Sequence, residues 1–413
     1  MMTTDYDVVI AGGGMVGISL ALALTRKLPA CRILLVERHP LPVDAADTAF
    51  TPSFDARSTA LSYASCLIYR ELGLWQSIAE RAQPIESIHV SDRGRFGSSL
   101  LQASTYEWPA LGYVVENAWL GRCLAGALAD TAVELCCPSA IVTATPGDGP
   151  VAIQLEDSRC LRADLLVVAD GAHSTLREQL GIAHREHHYD QSAIIANIAH
   201  REPHGGRAFE RFTGSGPLAF LPLVPMVGNE HRSALVWTLP PAEAEELLAC
   251  PAQDFLTRLQ QYFGYRLGRL EQAGQRHGYP LTLMETEEQV RSGVVVMGNA
   301  AHSLHPVAGQ GFNLALRDVA RLGAVLAEHL AGGGSVGDLT ALQHYQQSQE
   351  SDQRSTTAFS DRLPGLFMSE DGALTALRDL GLFALDLSPG LKREFVRRTA
   401  GLAPSTDYRE LRP

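Results

Sequence analysis

The chain has 413 residues, of which 46% are hydrophobic and 19% are charged, and its formal net charge is −12. This length is typical of about two to three domains with a buried core. The negative charge argues against a general nucleic-acid binder, which would carry a basic face. The seven cysteines form no zinc or dithiol motif, and the only close pair is Cys136 and Cys137. Reduced thiols are therefore expected.

The N-terminal stretch DVVIAGGGMVGISLALAL predicts a strand, a glycine-rich turn and a helix. Asp5 and Asp7 occupy the place where a signal peptide would carry basic residues. Four glycines interrupt the uncharged run, and no other run approaches the about 20 apolar residues of a membrane span. The sequence therefore predicts neither a signal peptide nor a transmembrane helix.

The same stretch carries the spacing G-x-G-x-x-G at residues 12, 14 and 17. In a dinucleotide-binding turn, Gly12 permits the tight bend, Gly14 lets the backbone approach a pyrophosphate, and Gly17 allows close helix packing. The next predicted strand, RILLVE, ends in Glu37, where an acid accepts hydrogen bonds from a ribose hydroxyl. These features predict a dinucleotide site, to which we also assign Arg38.

Two later segments repeat the strand–loop–helix pattern. LRADLLVVADGAHSTLRE has an apolar strand followed by Asp170 and Gly171, and GVVVMGNAAHSLHPVAGQGFNLALRD has a strand, a loop and a helix. Together with the first motif they resemble the class A flavoprotein aromatic hydroxylases, which have the p-hydroxybenzoate hydroxylase fold. The resemblance implies that the first motif binds the ADP half of FAD. It also implies that the Asp-Gly motif lies near the pyrophosphate and bears on NAD(P)H use, and that the third motif holds the ribityl chain.

The resemblance covers about residues 5 to 360 and implies an α/β fold, α+β overall. Its parts are a Rossmann-type FAD-binding domain, a mixed or antiparallel-sheet substrate domain and a helical C-terminal tail. The expected boundaries are 1–183 for the first part of the FAD-binding domain (with about 85–115 contributing to the substrate domain), 184–279 for the substrate domain, 280–355 for the second part of the FAD-binding domain, and 356–413 for the helical region.

The loop and helix start in AHSLHPVAGQGFNLALRD are predicted to cradle the flavin ring. Backbone N–H groups at the helix start would stabilise the negative charge of the reduced flavin. Glycines on both sides of Gln310 let the backbone approach the ring, and a proline fixes the loop. The residues assigned to this cradle are Pro306, Gly309, Gln310, Gly311, Phe312 and Asn313.

Other assignments follow from the resemblance. Arg57 in DARSTALS and Arg122 in WLGRCLAGAL are similar to flavin-contacting arginines of the family. Asn299 stands where the family usually has aspartate, so a carboxylate is absent while ribityl hydroxyls can still be bonded. GNAAHSLHPVAGQGFN is most similar to the ubiquinone-biosynthesis hydroxylases, and within them to those acting on 2-polyprenyl-6-methoxyphenol.

The implied chemistry is centred on the flavin, because we find no nucleophile elbow and no metal motif in the sequence. The resemblance implies that NADH or NADPH reduces non-covalently bound FAD and that O2 forms a C4a-hydroperoxyflavin, which hydroxylates a phenolic ring. No residue is assigned a certain catalytic role, but His305 and Pro306 are expected near the flavin. For His302, bracing the loop and transferring a proton both remain open. No metal site is expected, because HREHHYD matches no standard ligand spacing.

Residues 184 to 279 show strand-like segments without the Rossmann pattern, among them GPLAFLPLVP and SALVWTLP. An antiparallel sheet over the flavin would offer one face as a pocket wall. The candidates for lining that pocket are Phe220, Leu221, Pro222 and Trp237. Ordinary core packing of each remains an equal alternative.

The tail joins an apolar segment, GALTALRDLGLFALDL, to a basic one, LKREFVRR. Such a pair either lies on anionic lipid or packs on the FAD-binding domain, and the sequence leaves both open. The expected localisation is cytoplasmic, with peripheral contact at the inner membrane face. The expected partners are a lipophilic phenol and other quinone-biosynthesis enzymes. Alternatives are a flavin hydroxylase for another phenol, another flavoenzyme such as a halogenase or an amine oxidase, or a non-catalytic prenyl-binding protein of this fold.

Overall fold

A computed structural model describes residues 5–41, 53–54, 56–94, 98–304, 309–368 and 389–402. The strands in these ranges are β1 (Tyr6–Ala11), β2 (Ile33–Val36), β3 (Ser58–Ser62), β4 (Ala82–Ile85), β5 (Ser87–Asp92), β6 (Ser98–Gln102), β7 (Gly112–Glu116), β8 (Glu134–Cys136), β9 (Ile141–Thr145), β10 (Val151–Leu155), β11 (Cys160–Val168), β12 (His184–His200), β13 (Arg207–Thr213), β14 (Gly216–Pro222), β15 (Arg232–Leu239), β16 (Leu270–Ala273), β17 (His277–Thr286), β18 (Val290–Arg291), β19 (Val294–Val296) and β20 (His302–Ser303).

The helices in the same ranges are α1 (Met15–Lys27), α2 (Tyr63–Glu71), α3 (Trp75–Ala79), α4 (Asn117–Ala129), α5 (Thr175–Gln179), α6 (Pro241–Ala249), α7 (Ala252–Phe263), α8 (Gln310–Ala331), α9 (Leu339–Met368) and α10 (Pro389–Thr399). Two 3-10 turns, Ala103–Tyr106 and Gly298–Ala300, accompany them.

The first sheet has a parallel centre in the order β19–β11–β1–β2–β8, with β18 and the β9–β10 pair added antiparallel. Its central strands read as unbroken apolar runs because both faces of the sheet are covered. Helices α1 and α8 pack together on one face through residues such as Leu20, Leu24 and Leu316. This is the Rossmann-type FAD-binding arrangement that the resemblance implied, and the predicted fold class is confirmed.

The second sheet is mixed and mainly antiparallel, in the order β20–β17–β12–β15–β14–β13–β5–β6, with β16 beside β12. Within it the pair β13–β5 is parallel. Helices α6 and α7 cover one face of this sheet with apolar side chains that include Phe255, Leu259 and Phe263. The other face turns towards the FAD-binding unit, since the Asn197 side-chain amide donates hydrogen bonds to the backbone oxygens of Phe54 and Ala56.

The two units are interleaved along the chain. Strands β5 and β6 come from the N-terminal part yet extend the second sheet, and β20 does so from the third motif. β3, β7 and β4 form a small third sheet. The second sheet runs past residue 279, because β17 ends at Thr286.

The described part of the tail packs on the protein. Val396 and Ala400 are buried, and the Ala64 backbone N–H donates a 3.1 Å hydrogen bond to the Ala400 oxygen. The apolar segment from Gly372 to Leu387 lies outside the described residues. Among the helices of the described ranges, none has both the length and the apolar character to cross a bilayer.

Candidate functional site

The first motif forms a turn that excludes side chains at two positions and leaves space at a third. Gly12 has φ +109°, and a Cβ there would lie 2.5 Å from the Ala169 backbone oxygen. A Cβ on Gly17 would lie 1.9 Å from the Gly12 oxygen. A Cβ on Gly14 would meet nothing within 4 Å. The backbone at Gly14 is therefore open to a ligand, as the motif predicts.

Two helices begin here without a side-chain cap. The N-cap residues of α1 and α8 are Gly14 and Gly309, which have no side chain to accept a hydrogen bond from the first backbone N–H groups, and neither helix has an acidic residue in its first turn. In contrast, Ser62 and Ser174 cap α2 and α5 with their hydroxyl oxygens. The uncapped N–H groups and the positive end of the helix dipole suit phosphate at α1 and an anionic ring edge at α8.

A cavity of about 180 Å³ lies at the carboxyl ends of β1, β2 and β11. Its lining includes Gly12, Glu37, Arg38 and Asp170. The Glu37 carboxylate accepts hydrogen bonds from the backbone N–H groups of Gly13 (2.6 Å) and His39 (2.8 Å). The strand thus holds an oriented carboxylate at the rim, where a ribose would lie, and the exposed Arg38 lies beside it.

The Asp-Gly motif follows β11 directly. Burial raises the pKa of the Asp170 carboxyl, and a hydrogen bond from Ser174 opposes that rise. Gly171 has φ +99°, a conformation that favours glycine.

Arg177 joins the second motif to the third. Its fully buried guanidinium donates hydrogen bonds to the backbone oxygens of Ala172 (3.2 Å) and Ala300 (3.0 Å). Asn299, beside Ala300, is exposed in the 3-10 turn. Arg177 lies in the segment of the Asp-Gly motif, but this role could not be predicted because nothing local marks an arginine as a link between distant loops.

The start of α8 is fixed by the side chain of Asn313. Its oxygen accepts hydrogen bonds from the Ser62 backbone N–H (2.8 Å) and the Ser65 hydroxyl (2.7 Å). Its amide donates to the backbone oxygens of Ala60 (2.8 Å) and Gly309 (2.7 Å). The side chain therefore aligns the loop, and the backbone N–H remains the predicted flavin contact.

The neighbouring cradle residues differ in how much space they leave. A Cβ on Gly311 would meet nothing within 4 Å, so the turn is open on that side. Gln310 is buried, and its side-chain amide lies 3.4 Å from the Thr399 backbone oxygen of α10. Phe312 is partly buried against the core of the FAD-binding unit.

His302 lies in a buried polar network. Its Nε2 is 2.9 Å from Asp318 Oδ2, and the side-chain amides of Gln349 and Gln353 also donate to Asp318. This network joins β20 and α9 to α8, the helix that begins at the cradle. His305 and Pro306 lie outside the described residues.

The two arginines assigned by resemblance lie in different places. Arg57 precedes β3, and its guanidinium donates a 3.1 Å hydrogen bond to the Tyr279 hydroxyl on β17, so it bridges the two units. Arg122 is partly buried on α4, a helix that packs against α1. Tyr279 was not singled out from the sequence, because its partner is distant along the chain.

Of the four pocket candidates, three lie on the face of the second sheet that α6 and α7 cover. Phe220 and Trp237 are fully buried there, with ring centroids 4.4 Å from Phe263 and 6.1 Å from Phe255 respectively. Pro222 shares the face of Phe220 by strand alternation and is buried. Leu221 points to the opposite face and is partly exposed.

That opposite face carries a row of partly exposed side chains across adjacent strands. Ala219 pairs with Val236, and Val236 pairs with Ile195. The same face carries Asn197 and Tyr279, both of which contact the FAD-binding segment around residues 54–57. Of the residues predicted from the sequence on β14 and β15, Leu221 lies on this face, whereas Phe220, Pro222 and Trp237 lie on the face that α6 and α7 cover. Alternation along β14 and β15 could have indicated the smaller residues of this face, such as Ala219 and Val236.

The comparisons with known proteins agree with this geometry. The profile of the family described as "FAD binding domain" matches residues 5–351. The chain belongs to this FAD-binding family. A ubiquinone hydroxylase, UbiL, of Rhodospirillum rubrum is 35% identical over 96% of this chain and 89% of its own length. The 3-demethoxyubiquinol 3-hydroxylase of Escherichia coli is 30% identical, covering 97% of this chain and 100% of its own.

Solved structures share the fold of this FAD-binding family member. PqsL of Pseudomonas aeruginosa, a probable FAD-dependent monooxygenase, superposes with a TM-score of 0.74 at 22% identity, over 92% of this chain and 99% of its own. The p-nitrophenol 4-monooxygenase PnpA of Pseudomonas putida gives 0.75 at 17% identity, over 97% and 99%. The protein is an FAD-dependent monooxygenase of this family, and the open turns at Gly14 and Gly311 fit its cofactor.

Proposed function

We propose that this monooxygenase hydroxylates a polyprenylated methoxyphenol in ubiquinone biosynthesis. Relatives that align over nearly the whole chain are named for ubiquinone hydroxylation. The observation that carries the proposal is the partly exposed apolar row Ala219–Val236–Ile195, on the sheet face that contacts the FAD-binding unit. A wall of small aliphatic side chains suits an uncharged ring with a prenyl chain.

The chain supplies binding, orientation and water exclusion. FAD bound here would take electrons from NADH or NADPH and transfer one oxygen atom of O2 to an electron-rich ring carbon. Glu37 would hold the ribose of FAD, and the start of α1 would hold its phosphate oxygens. The start of α8 would stabilise negative charge at the edge of the flavin ring, while the apolar wall would keep water from the reacting atoms.

The alternatives differ in what the same wall would bind. A different phenol could also bind against the apolar row, because aliphatic side chains make no hydrogen bonds that would distinguish one ring substituent from another. A non-catalytic prenyl-binding protein has no reason to keep an open glycine and an uncapped helix start where negative charge develops. The space at Gly311 and the uncapped α8 therefore support catalysis.

The deciding experiment follows NADH and NADPH oxidation by the FAD-loaded protein, with and without 2-prenyl-6-methoxyphenol, and analyses the products by mass. We expect a product one oxygen atom heavier. The control substrate is 4-hydroxybenzoate, a phenol without a prenyl chain, for which we expect little oxygenation. If the protein binds FAD but gives no oxygenated prenylphenol, the proposed substrate is wrong, whereas the assignment to the FAD-binding family stands.

For localisation we propose a cytoplasmic enzyme with peripheral membrane contact, near other enzymes of the quinone pathway. Two observations support it: α10 uses Val396 to pack on the protein, and Arg393 and Arg397 on the same helix are exposed. We expect sedimentation with vesicles containing phosphatidylglycerol and less with phosphatidylcholine alone. Replacing both arginines with alanine should reduce the difference, and equal sedimentation with both lipids would contradict the proposal.

A further inference from the structure

The partly exposed row Ala219–Val236–Ile195 on the second sheet is extended by an acidic residue, Glu210. On β13, Glu210 pairs with Ala219 of β14, which itself pairs with Val236. Glu210 therefore stands in the same cross-strand row as Ala219, Val236 and Ile195. On its other side Glu210 pairs with Val90 of β5. A carboxyl thus lies between the aliphatic residues Val90 and Ala219, in a row that continues through Val236 and Ile195 to His277 of β17.

The orientation of Glu210 follows from its neighbours on β13. Phe209 points to the α7 side, where its ring lies 5.3 Å from that of Phe263. Arg211 is likewise tied to the α7 side, by a hydrogen bond to the Tyr262 backbone oxygen. Because strand residues alternate between faces, Glu210 points to the face that contacts the FAD-binding unit. Ala208, two residues before it, packs on that face with Leu221.

Glu210 has no hydrogen-bond or ion-pair partner among the residues that the structure describes. Its cross-strand neighbours Val90 and Ala219 are aliphatic, and α9 also packs against β13 and β14. Burial raises the pKa of the Glu210 carboxyl to about 7. A fold gains nothing from such a group, because an unpaired carboxylate in apolar surroundings is costly. An unpartnered carboxyl on a ligand-facing wall is instead typical of a group that meets its partner in the ligand.

Resting on the proposed function, we propose that Glu210 accepts the hydrogen bond of the substrate's phenolic hydroxyl and takes its proton as the ring is hydroxylated. The phenolic O–H bond breaks, an O–H bond forms on the Glu210 carboxylate, and the electron pair stays on the phenolic oxygen. That electron pair enriches the ring carbons ortho and para to it, the positions an electrophilic oxygen attacks. When the ring becomes aromatic again, the C–H bond of the attacked carbon breaks and its proton passes to the oxygen atom of O2 that is not transferred, while Glu210 returns its own proton to the phenolic oxygen of the product.

The first test compares Glu210→Gln with the unchanged protein, both loaded with FAD. Loss of a general base lowers turnover by about 10²- to 10⁴-fold. We expect kcat for the oxygenated product to fall by at least about 10²-fold, and KM to rise by no more than about 10²-fold, which is the worth of one hydrogen bond to a charged acceptor. Glu210→Asp, which keeps a carboxylate, should recover part of kcat. FAD content should be unchanged in both variants, because the residue contacts the substrate.

The matched control is Glu271→Gln, on the exposed side of β16 in the same sheet. It removes the same charge without changing the wall, so its kcat and KM should equal those of the unchanged protein. Equal kcat for Glu210→Gln and Glu271→Gln would overturn the role of Glu210.

A second test needs no turnover and separates this inference from the proposed function. The dissociation constants of 2-prenyl-6-methoxyphenol and of its methyl ether are measured from the change in flavin absorbance. A hydrogen bond to a charged acceptor is worth about 10- to 100-fold in affinity. We expect the unchanged protein to prefer the phenol by such a factor, and Glu210→Gln to lose most of that preference.

The outcomes are distinct. If the unchanged protein oxygenates the phenol and Glu210→Gln does so equally well, Glu210 has no role while the proposed function stands. If the unchanged protein gives no oxygenated product, the proposed function fails, and the binding comparison still decides on Glu210. Equal preference for the phenol in both proteins would overturn the inference in either case.

Discussion

Gly311 is a residue whose side-chain space is empty in the fold itself. A Cβ there meets no protein atom within 4 Å, and the residue lies in the first turn of α8. The fold should therefore tolerate a leucine at this position. The ring of FAD should not, because a side chain would occupy the space through which it approaches the backbone.

We therefore expect Gly311→Leu to fold with little change in Tm but to purify with less than about a tenth of the FAD of the unchanged protein. The measurement is flavin absorbance per protein. Gly126→Leu on α4 is the control, because its Cβ also meets no protein atom within 4 Å. Full FAD retention in Gly311→Leu would remove Gly311 from the cradle.

The raised pKa of Glu210 should also affect the stability of the protein, in a way that depends on pH. Burial raises the pKa of the Glu210 carboxyl from its ordinary value of 4.5 to about 7. A carboxyl with a raised pKa favours the folded state at low pH, and that contribution is lost as the pH rises through 7. Each pKa unit corresponds to about 1.4 kcal/mol, so the cost above pH 8 is at most about 3.5 kcal/mol.

Glu210→Gln removes this cost. We expect the variant to have a higher Tm than the unchanged protein at pH 8, with the difference shrinking as the pH falls towards 5. Thermal unfolding of both proteins across this range measures it, and the difference between them cancels all other titrating groups. A difference that is constant with pH would mean that the carboxyl is not desolvated in the fold.

At the scale of elements, α8 and α9 are joined by a buried ion pair. Arg317 Nε lies 2.6 Å from Asp352 Oδ2, and both side chains are almost fully buried. Two residues from Asp352, Glu350 makes an exposed pair with Arg354 on the surface of α9. Breaking a buried pair leaves an uncompensated charge and costs about 3–5 kcal/mol, whereas an exposed pair is worth about 1 kcal/mol or less.

We expect Asp352→Ala to lower the free energy of unfolding by about 3–5 kcal/mol and Glu350→Ala by less than about 1 kcal/mol. Urea unfolding of both variants makes the comparison within one helix. Because α8 begins at the flavin cradle, Asp352→Ala should also weaken FAD retention. Equal losses for the two variants would mean that the Arg317 pair does not anchor α8.

Sequence reasoning predicted the elements whose pattern is local. The strand, glycine turn and helix around Gly12 and Gly17 are read directly from spacing, and so is the glycine start of α8. The facing of strands was not predictable in this way. Strand alternation shows that Phe220 and Leu221 point to opposite faces of the sheet. It does not show which face is buried, because that depends on where α7 packs. Asn313 was predicted as a cradle residue, but the side-chain hydrogen bonds of Asn313 and Arg177 could not be predicted, since they join segments far apart in the chain.

At the scale of the whole molecule, α10 closes one end of the flavin-facing wall. Val396 is buried in a cluster that includes Leu221 and Trp108, while Arg397 beside it is exposed. An aspartate at 396 would bury a charge without a partner and displace the helix. The wall would then admit water beside the flavin, and water near the reacting oxygen favours unproductive reduction of O2.

We expect Val396→Asp to lower stability by at least about 2 kcal/mol. It should also raise the hydrogen peroxide released per NAD(P)H consumed, with less product per turnover. Arg397→Asp, one residue further and exposed, should change neither quantity. Unchanged coupling in a destabilised Val396→Asp protein would show that α10 stabilises the fold without sealing the wall.

The interleaving of the two units has a consequence for how the protein is made. The ribosome releases β11 long before β19, the strand that completes the parallel sheet beside it, and before the start of α8. The residues between 169 and 293 build most of the second sheet in the meantime, so β11 waits with an unpaired edge. A nascent chain arrested near residue 290 should then retain no FAD, and one released in full should bind it. FAD can therefore bind only after β19, the last strand of the first sheet, has been synthesised.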